Sequence, residues 1–272
     1  MAVNYALKYS AKVDERFTQA AITTPIVNND YDFTGVNTVQ VYSIPTVAMV
    51  DYTLTGNARY GTPEELQDTL QSMTLSQDRA FTFTIDRRNY IDTQMSHEAG
   101  KALRRELDEV TIPEIDIYRL AQIIANAGNS ATGAITSSNA YAAFLDGVNA
   151  LTNAKAPTAG RMAYVGTNFY KSIRLDQSFI KSSDLGQQAL FTGQVGQIEG
   201  IPLVLAPDSY FPADFDFLLT HRIATVSPVK LSEYKLHDNP PGINGWLIEG
   251  RFYYDAFVLA NKAGAIYVHM AA

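Results

Sequence analysis

Residues 38–50, TVQVYSIPTVAMV, and residues 81–86, FTFTID, frame one β excursion that runs straight into a long helix, and their reading decides the fold. The outgoing arm is apolar and β-rich, through Val39, Val41, Tyr42, Ile44, Val47, Met49 and Val50. The return arm alternates, with Phe81, Phe83 and Ile85 on one face and Thr82, Thr84 and Asp86 on the other, the period of a strand with one buried side. Between the arms, Asp51 to Asp78 is too hydrophilic for a core and reads as a polar tip. Two strands that reach this far with no third partner in view are marginal alone in water. Their missing partners are expected on other subunits, which favours an assembly protein over an enzyme.

The helix after the return arm is expected to begin at Asp92 or Thr93, either a good N-cap. Met95, Ala99, Leu103, Leu107 and Val110 form an apolar stripe, while Glu98, Lys101, Arg104, Arg105, Asp108 and Glu109 take the wet side. Pro113 removes a backbone donor and should bend or break the helix. The helix resumes through Ile117, Leu120, Ala121 and Ile124 and stops at Gly128, read as a left-handed C-terminal glycine. At about 1.5 Å per residue the two segments span roughly 45–50 Å.

Upstream, Tyr5, Tyr9, Val13 and Phe17 recur every four residues and predict a helix over 5–20. Residues 21–35, rich in Thr, Asn and Asp around Pro25, read as an extended arm with no core of its own, frayed or laid across a partner. Downstream, the small residues of Asn129 to Thr136 read as a linker. Ser137 or Ser138 should cap a helix carrying Tyr141, Phe144, Leu145, Val148 and Leu151. A strand is expected over Met162–Val165 and a helix from Gly166-Thr167 carrying Phe169, Tyr170 and Ile173. Further strands are expected over Val195–Ala206 (interrupted at Gly200 and Pro202), Phe215–Thr220, Val229–Leu236 and Trp246–Leu259. A turn at Asn261–Gly264 then leads to a last strand, Ala265–His269. Segregated rather than alternating elements predict an α+β fold.

At 272 residues the chain can bury one core or two. Hydrophobic residues make up 46% and charged residues 18%, below the usual share of roughly a quarter, which suits a surface hidden against neighbours. A formal net charge of −7 argues against sequence-independent nucleic-acid binding, which needs clustered cations to displace counterions. Without cysteine there is no disulfide framework, thiolate metal site or thiol catalysis. No apolar window approaches the roughly 18 residues of a spanning helix. Residues 1–14 lack a basic segment followed by an apolar run, so no secretory signal is expected, and the chain reads as soluble and made in the cytosol.

No catalytic, cofactor or metal constellation emerges. His97, His221, His237 and His269 are scattered, and His97-Glu98 opens like a zinc-protease helix whose second histidine is replaced by Lys101; surface or capping roles are expected instead. There is no G-x-S-x-G nucleophile elbow. Gly193, Gly196 and Gly200 do not fit a phosphate loop, since strand-like Ile201 to Leu205 follows; turn and bulge roles are expected. Glu64-Glu65 and Asp108-Glu109 read as solvated charge. Arg87-Arg88 and Arg104-Arg105 sit among acids and favour ion pairing over a polyanion groove. The 16 tyrosines suit interfaces that are apolar at one end and wet at the other.

Read in order, these parts resemble the major capsid protein of tailed double-stranded DNA bacteriophages, of siphovirus type with a Gram-positive host. Three stretches carry the likeness beyond the order itself: VTIPEID at 110–116, GQVGQIEGIPLVLAP at 193–207 and DAFVLANKAGAI at 255–266. The resemblance implies an N-terminal arm over 1–37, an extended β loop over 38–91, and a spine helix of the peripheral domain over 92–133. It further implies an axial domain over 134–220 and, over 221–272, peripheral strands with the return from the axial domain. It implies a non-enzymatic late structural protein that forms hexamers and pentamers of an icosahedral shell around packaged DNA, in the virion and, before assembly, in the host cytoplasm. Partners are then further copies of itself, a portal, and a separate scaffolding protein, since the arm reaches the β loop too soon for a fused scaffold. DNA is enclosed without sequence-specific binding, and no cofactor, metal or membrane is involved. Arg59 and Arg79 in the loop, with Arg87 and Arg88 at its root, are the candidate inter-subunit contacts, and Pro113 the candidate bend of the spine. Some shells of this family are locked by a covalent bond from a loop lysine; this loop has none. An encapsulin-type compartment shell, a tail-tube subunit and a soluble α+β enzyme are the alternatives, the long helix weighing against the tail tube.

Overall fold

The alternation at 81–86 is resolved by a partner far along the chain. In the computed structural model, which describes residues 21–87 (except 29, 32, 34–37, 45, 64, 66 and 67), 98–182 and 196–272, strand β3 (Gln77–Asp86) pairs antiparallel with β11 (Gly245–Tyr254). β11 pairs in turn with β10 (Val229–Asp238). Phe81 lies opposite Gly250, where a Cβ would sit 2.4 Å from the phenyl ring, so only glycine lets the ring lie across the strand. Phe81, Phe83 and Ile85 pack with Ile248, Phe252 and Tyr254 against Leu103, Leu107 and Ile115 of the spine helix. The third strand is thus supplied by the chain itself, correcting the expectation that it comes from another subunit.

The outgoing arm pairs elsewhere as well. β1 (Thr38–Ser43) runs antiparallel to β2 (Thr69–Thr74) in a two-stranded ribbon, so the return strand of the excursion lies inside the stretch read as a polar tip. Met73 and Leu75 of that stretch are buried, in a small core with Phe33, Val226 and Leu259. Isolated apolar residues among polar ones give no composition signal, which is why the stretch read as wholly exposed.

The spine comprises α1 (Glu98–Glu106), a π-helical turn (Leu107–Thr111) and α2 (Ile112–Ala125). Leu103 and Leu107 are buried as the stripe predicts, but Val110 is about half exposed. Pro113 does not break the helix. In an unbroken α-helix its ring would meet the carbonyl of residue 109; here the preceding turn widens, and Ile112 donates to the Leu107 carbonyl, five residues back. The expected start at Asp92 or Thr93 and the helix over 5–20 lie outside the described residues. Gly128 is not a left-handed cap either. It donates to the Ala263 carbonyl at 3.0 Å, and a Cβ there would come within 2.5 Å of that carbonyl.

The second sheet has six strands in the order β4 (Asn129–Thr132), β13 (Ile266–Met270), β8 (Phe215–His221), β5 (Arg161–Val165), β7 (Ile201–Leu205), β6 (Gln197–Ile198). β4–β13 and β5–β7 are parallel and the remaining pairs antiparallel. The expected linker at 129–136 therefore contains an edge strand. Helices α3 (Ala140–Asn153) and α4 (Thr167–Leu175) pack on this sheet, where Phe144, Phe169 and Phe217 form an aromatic cluster with centroids 4.5–6.4 Å apart. Gly147 allows α3 to approach Leu219 and Tyr267, which a Cβ would meet at 2.8 Å. Asn139, not Ser137 or Ser138, precedes α3, its side chain braced by Thr136 and the Ala134 carbonyl. A short helix, α5 (Gln177–Ser182), follows α4. β9 (Thr225–Val226) and β12 (Phe257–Val258) bridge the two sheets in sequence. The described part of the arm is not coreless: a 3-10 turn at Thr24–Ile26 places Ile26 in the main core, and Asn28 donates to the Thr225 carbonyl at 2.8 Å. The architecture is α+β.

Candidate assembly surfaces

The ribbon has two unlike faces. Val39 opposes buried Met73 on the face against the body, whereas Tyr42 and Leu70 form an exposed cross-strand pair on the other. Beyond Ser43 the apolar residues Ile44, Val47, Met49, Val50, Tyr52, Leu54 and Tyr60 are all exposed, Met49 completely and Leu54 and Tyr60 at 81% and 85%. Their backbone is nonetheless shaped. Thr53 donates to the Arg59 carbonyl at 3.1 Å, and Tyr52 and Tyr60 meet edge to face at 5.0 Å. Gly61, at φ +83°, lies where a Cβ would strike Val50 at 2.8 Å. Such a continuous exposed apolar run is unusual for a monomer and marks an interaction surface.

The candidate arginines divide. Arg79 pairs with Glu114 of the spine at 2.6 Å, and Arg87 lies 3.7 Å from Asp238 with its guanidinium 5.7 Å from the Trp246 ring. Both partners belong to the same chain. Arg59 donates to the Gly56 carbonyl at 3.2 Å and has no carboxylate partner among the described residues. Arg88 lies outside them. Sequence reasoning missed Arg251, which grips Asp78 with two hydrogen bonds of 2.9 and 2.5 Å and holds that carboxyl below its ordinary range. Arg105 and Glu109 pair at 2.8 Å along one helix face, as the charge pattern suggested.

At the middle of the spine lies a buried polar junction. Asp116 accepts from the Ile22 N–H (2.9 Å) and the Thr23 hydroxyl (2.5 Å); Thr23 in turn accepts from Arg119 (3.1 Å), which also donates to Ser227 (2.7 Å). Ser227 donates to the Asp255 carbonyl, and the Asp255 carboxylate accepts from Tyr118 and the Ser76 N–H, each bond 2.7 Å. Burial pushes the Asp116 carboxyl up and the Arg119 guanidinium down. Arm, ribbon root, spine and C-terminal strands are fastened at one place. A family model described as phage capsid protein matches residues 71–268, from within β2 to within β13.

The chain belongs to the phage capsid protein family.

It is a structural shell protein, a component of the virion. Solved structures share the fold. A structure from Mycobacterium phage Che8 matches with a TM-score of 0.70 at 18% identity, over 92% of this chain and 90% of that one. The capsid structure of Cyanophage P-SCSP1u matches at 0.68 and 13% identity, over 87% and 84%. A virus-like particle from Pyrococcus furiosus matches at 0.60 and 10% identity, over 97% and 99%. No curated protein matches.

This capsid protein also carries a buried Asp–His pair that sequence alone scored as ordinary. His269 is not a surface histidine: its Nδ1 lies 2.9 Å from Asp216, both residues are buried, and the ring stacks on Phe217 at 5.3 Å. A bulge where β8 meets Met270 leaves Asp216 as the extra residue and turns its carboxylate onto the histidine's face. His221 has the expected capping role, accepting from the Ile223 N–H at 3.1 Å. His237 meets Glu249 at 3.1 Å on the half-exposed face of β10. Beside Asp216 a cleft of about 290 Å³ is lined by Asp208, Asp214, Phe211 and Phe215. Asp208 is occupied in capping α4 through the Thr167 N–H and hydroxyl, and Asp216 by His269, so both carboxylates serve packing.

Proposed function

We propose that this chain is the major subunit of a tailed, siphovirus-like phage shell with a Gram-positive host, tiling hexamers and pentamers into an icosahedron around packaged double-stranded DNA. The exposed apolar run from Tyr42 to Tyr60 carries the reading: on a ribbon of two strands it has no cover among the described residues, and a neighbouring subunit supplies one. On this reading residues 1–37 are the arm, 38–91 the extended loop, 92–133 the spine, 134–220 the axial domain, and 221–272 the peripheral strands with the return. Arg59, with no carboxylate partner among the described residues, has a charge to offer a neighbour's carboxylate, and Arg88 is a second candidate. Arg79 and Arg87 hold the loop root in their own chain and contact neighbours only by sharing those partners. Pro113, with its widened turn, is the place where the spine bends between non-equivalent positions. The role is packing, not catalysis. DNA is enclosed without sequence-specific binding, and a net charge of −7 gives the chain no overall electrostatic attraction to it. A separate scaffolding protein and a portal complete the partners, and the subunit passes through the host cytoplasm before joining the virion.

Negative-stain microscopy and light scattering of the purified protein at high micromolar concentration test the reading. Shells or capsomers are expected, and the double variant Met49→Asp, Leu54→Asp should stay folded while particle yield collapses. A stable monomer that scaffold or crowding agents cannot assemble would overturn it. The likeness to the Pyrococcus furiosus particle supports a second reading, an encapsulin-type compartment. Particles recovered from the native source with protein cargo and without nuclease-protected DNA would favour that one.

A further inference from the structure

Gln71 lies on β2 opposite Val41, and its side chain reaches out of the ribbon to the backbone around β12. Nε2 donates to the Val258 carbonyl at 2.8 Å, and Oε1 accepts from the Ala260 N–H at 2.9 Å. The intervening Leu259 N–H points the other way, to the Ala224 carbonyl at 2.9 Å. The carboxamide therefore stands where the peptide group of an adjoining strand would, satisfying a carbonyl and an N–H that are otherwise left open. Only a neutral amide of this length does both: glutamate has no donor, and asparagine is one methylene short. The ribbon's other strand is tied to the same segment by Asn261, whose Nδ2 donates to the Ser43 hydroxyl at 3.1 Å. Between Ser43 and Thr69 the large apolar residues described are exposed, so among the described residues these two ties are the outermost points at which the body grips the ribbon.

We propose that Gln71 is a positioning residue for assembly: its carboxamide fixes the angle at which the ribbon leaves the body, and so where the apolar tip meets the next subunit. The inference rests on the loop-contact reading above. A ribbon free to swing at its root would deliver the same sticky tip over a range of angles, and shells would close with mixed curvature or not at all.

The test compares particles of the full-length chain carrying Gln71→Met, which keeps the length and loses both bonds, and Gln71→Glu, which keeps only the acceptor. Both should stay folded by circular dichroism. The Ala260 amide should exchange roughly tenfold faster in the Met variant and near the parent rate in the Glu variant, since its acceptor survives there. Both should give a broadened distribution of particle diameters or open sheets. Shells of parental diameter and yield from Gln71→Met overturn the proposal. Should that variant fail to fold, Gln71→Glu, which loses the bond to the Val258 carbonyl, takes its place; shells of parental diameter and yield from it overturn the proposal equally. The tip variant Met49→Asp, Leu54→Asp separates the two claims. Normal shells from it remove the loop-contact reading, whereas normal shells from Gln71→Met beside a failing tip variant remove only the positioning role.

Discussion

Single buried polar atoms divide here into the satisfied and the stranded. Thr220 on β8 is fully buried, and its hydroxyl has no hydrogen-bond partner among the described residues. Valine has the same shape without the unmet polar group, so Thr220→Val should stabilise the subunit by about 1 kcal/mol, read as a higher urea midpoint at unchanged slope. A lower midpoint would mean that the hydroxyl is bonded. Asp116 is the converse. Asp116→Ala strands the Ile22 N–H and the Thr23 hydroxyl and leaves the Arg119 charge buried, which should cost about 3–5 kcal/mol. The sequence IDIYRL shows both charges inside an apolar helical run, an anomaly visible without coordinates. Their bridge, Thr23, lies more than ninety residues upstream in what read as a coreless arm, and no local pattern announces such a partner.

Elements were legible where periodicity had a buried face to report, and obscure where a neighbour's backbone decided. The stripe at Leu103 and Leu107 and the strands at 161–165 and 215–221 follow from side-chain pattern alone. β4, with the sequence NSAT, is a strand because β13 offers it a parallel edge; nothing in those small residues prefers it. The start of α3 is hidden in the same way. The Asp176 carboxylate, at the end of α4, accepts from the Tyr141 N–H of α3 at 3.0 Å and from the Ser178 N–H of α5 at 2.8 Å. Burial alone would raise this carboxyl, but the backbone donors Tyr141, Ser178 and Phe179 together outweigh it and hold it below its ordinary value. Because the folded pKa is depressed, the stabilisation is present above the ordinary carboxylate pKa and is lost as pH falls through the lowered value. Asp176→Ala should cost about 1–2 kcal/mol at neutral pH, and Asp176→Asn should flatten the acid limb of the stability curve; an unchanged acid limb would refute the assignment. In the spine, Pro113→Ala restores an N–H and removes the ring that the widened turn accommodates, so 107–113 should close into regular α-helix. If non-equivalent subunits of Pro113→Ala particles still differ most in curvature over 108–116, the bend does not originate at this residue.

At the scale of the molecule, the return arm at 77–86 and its partner at 245–254 lie far apart in the chain, so the alternation could reveal a buried face but not what buries it. With β3 anchored in its own sheet, the part left for neighbours narrows from the whole excursion to the ribbon's outer face and the segment between Ser43 and Thr69. What can happen chemically there is bounded by composition. No lysine occurs between Lys12 and Lys101, and arginine stays protonated, with no lone pair to attack a carboxamide. A covalent lock between subunits through a loop amine is therefore closed to this protein, and the stability of a mature shell must come from non-covalent contacts, on the proposed reading the burial of residues such as Tyr42, Met49, Leu54 and Tyr60, or from accessory proteins. Apolar burial as a driving force weakens in denaturant and on cooling. Assembled particles boiled in detergent should release a single band at the 29.9 kDa chain mass. A ladder of higher bands joined through peptides of residues 38–90 would show a cross-link that this loop's side chains cannot make by amine attack.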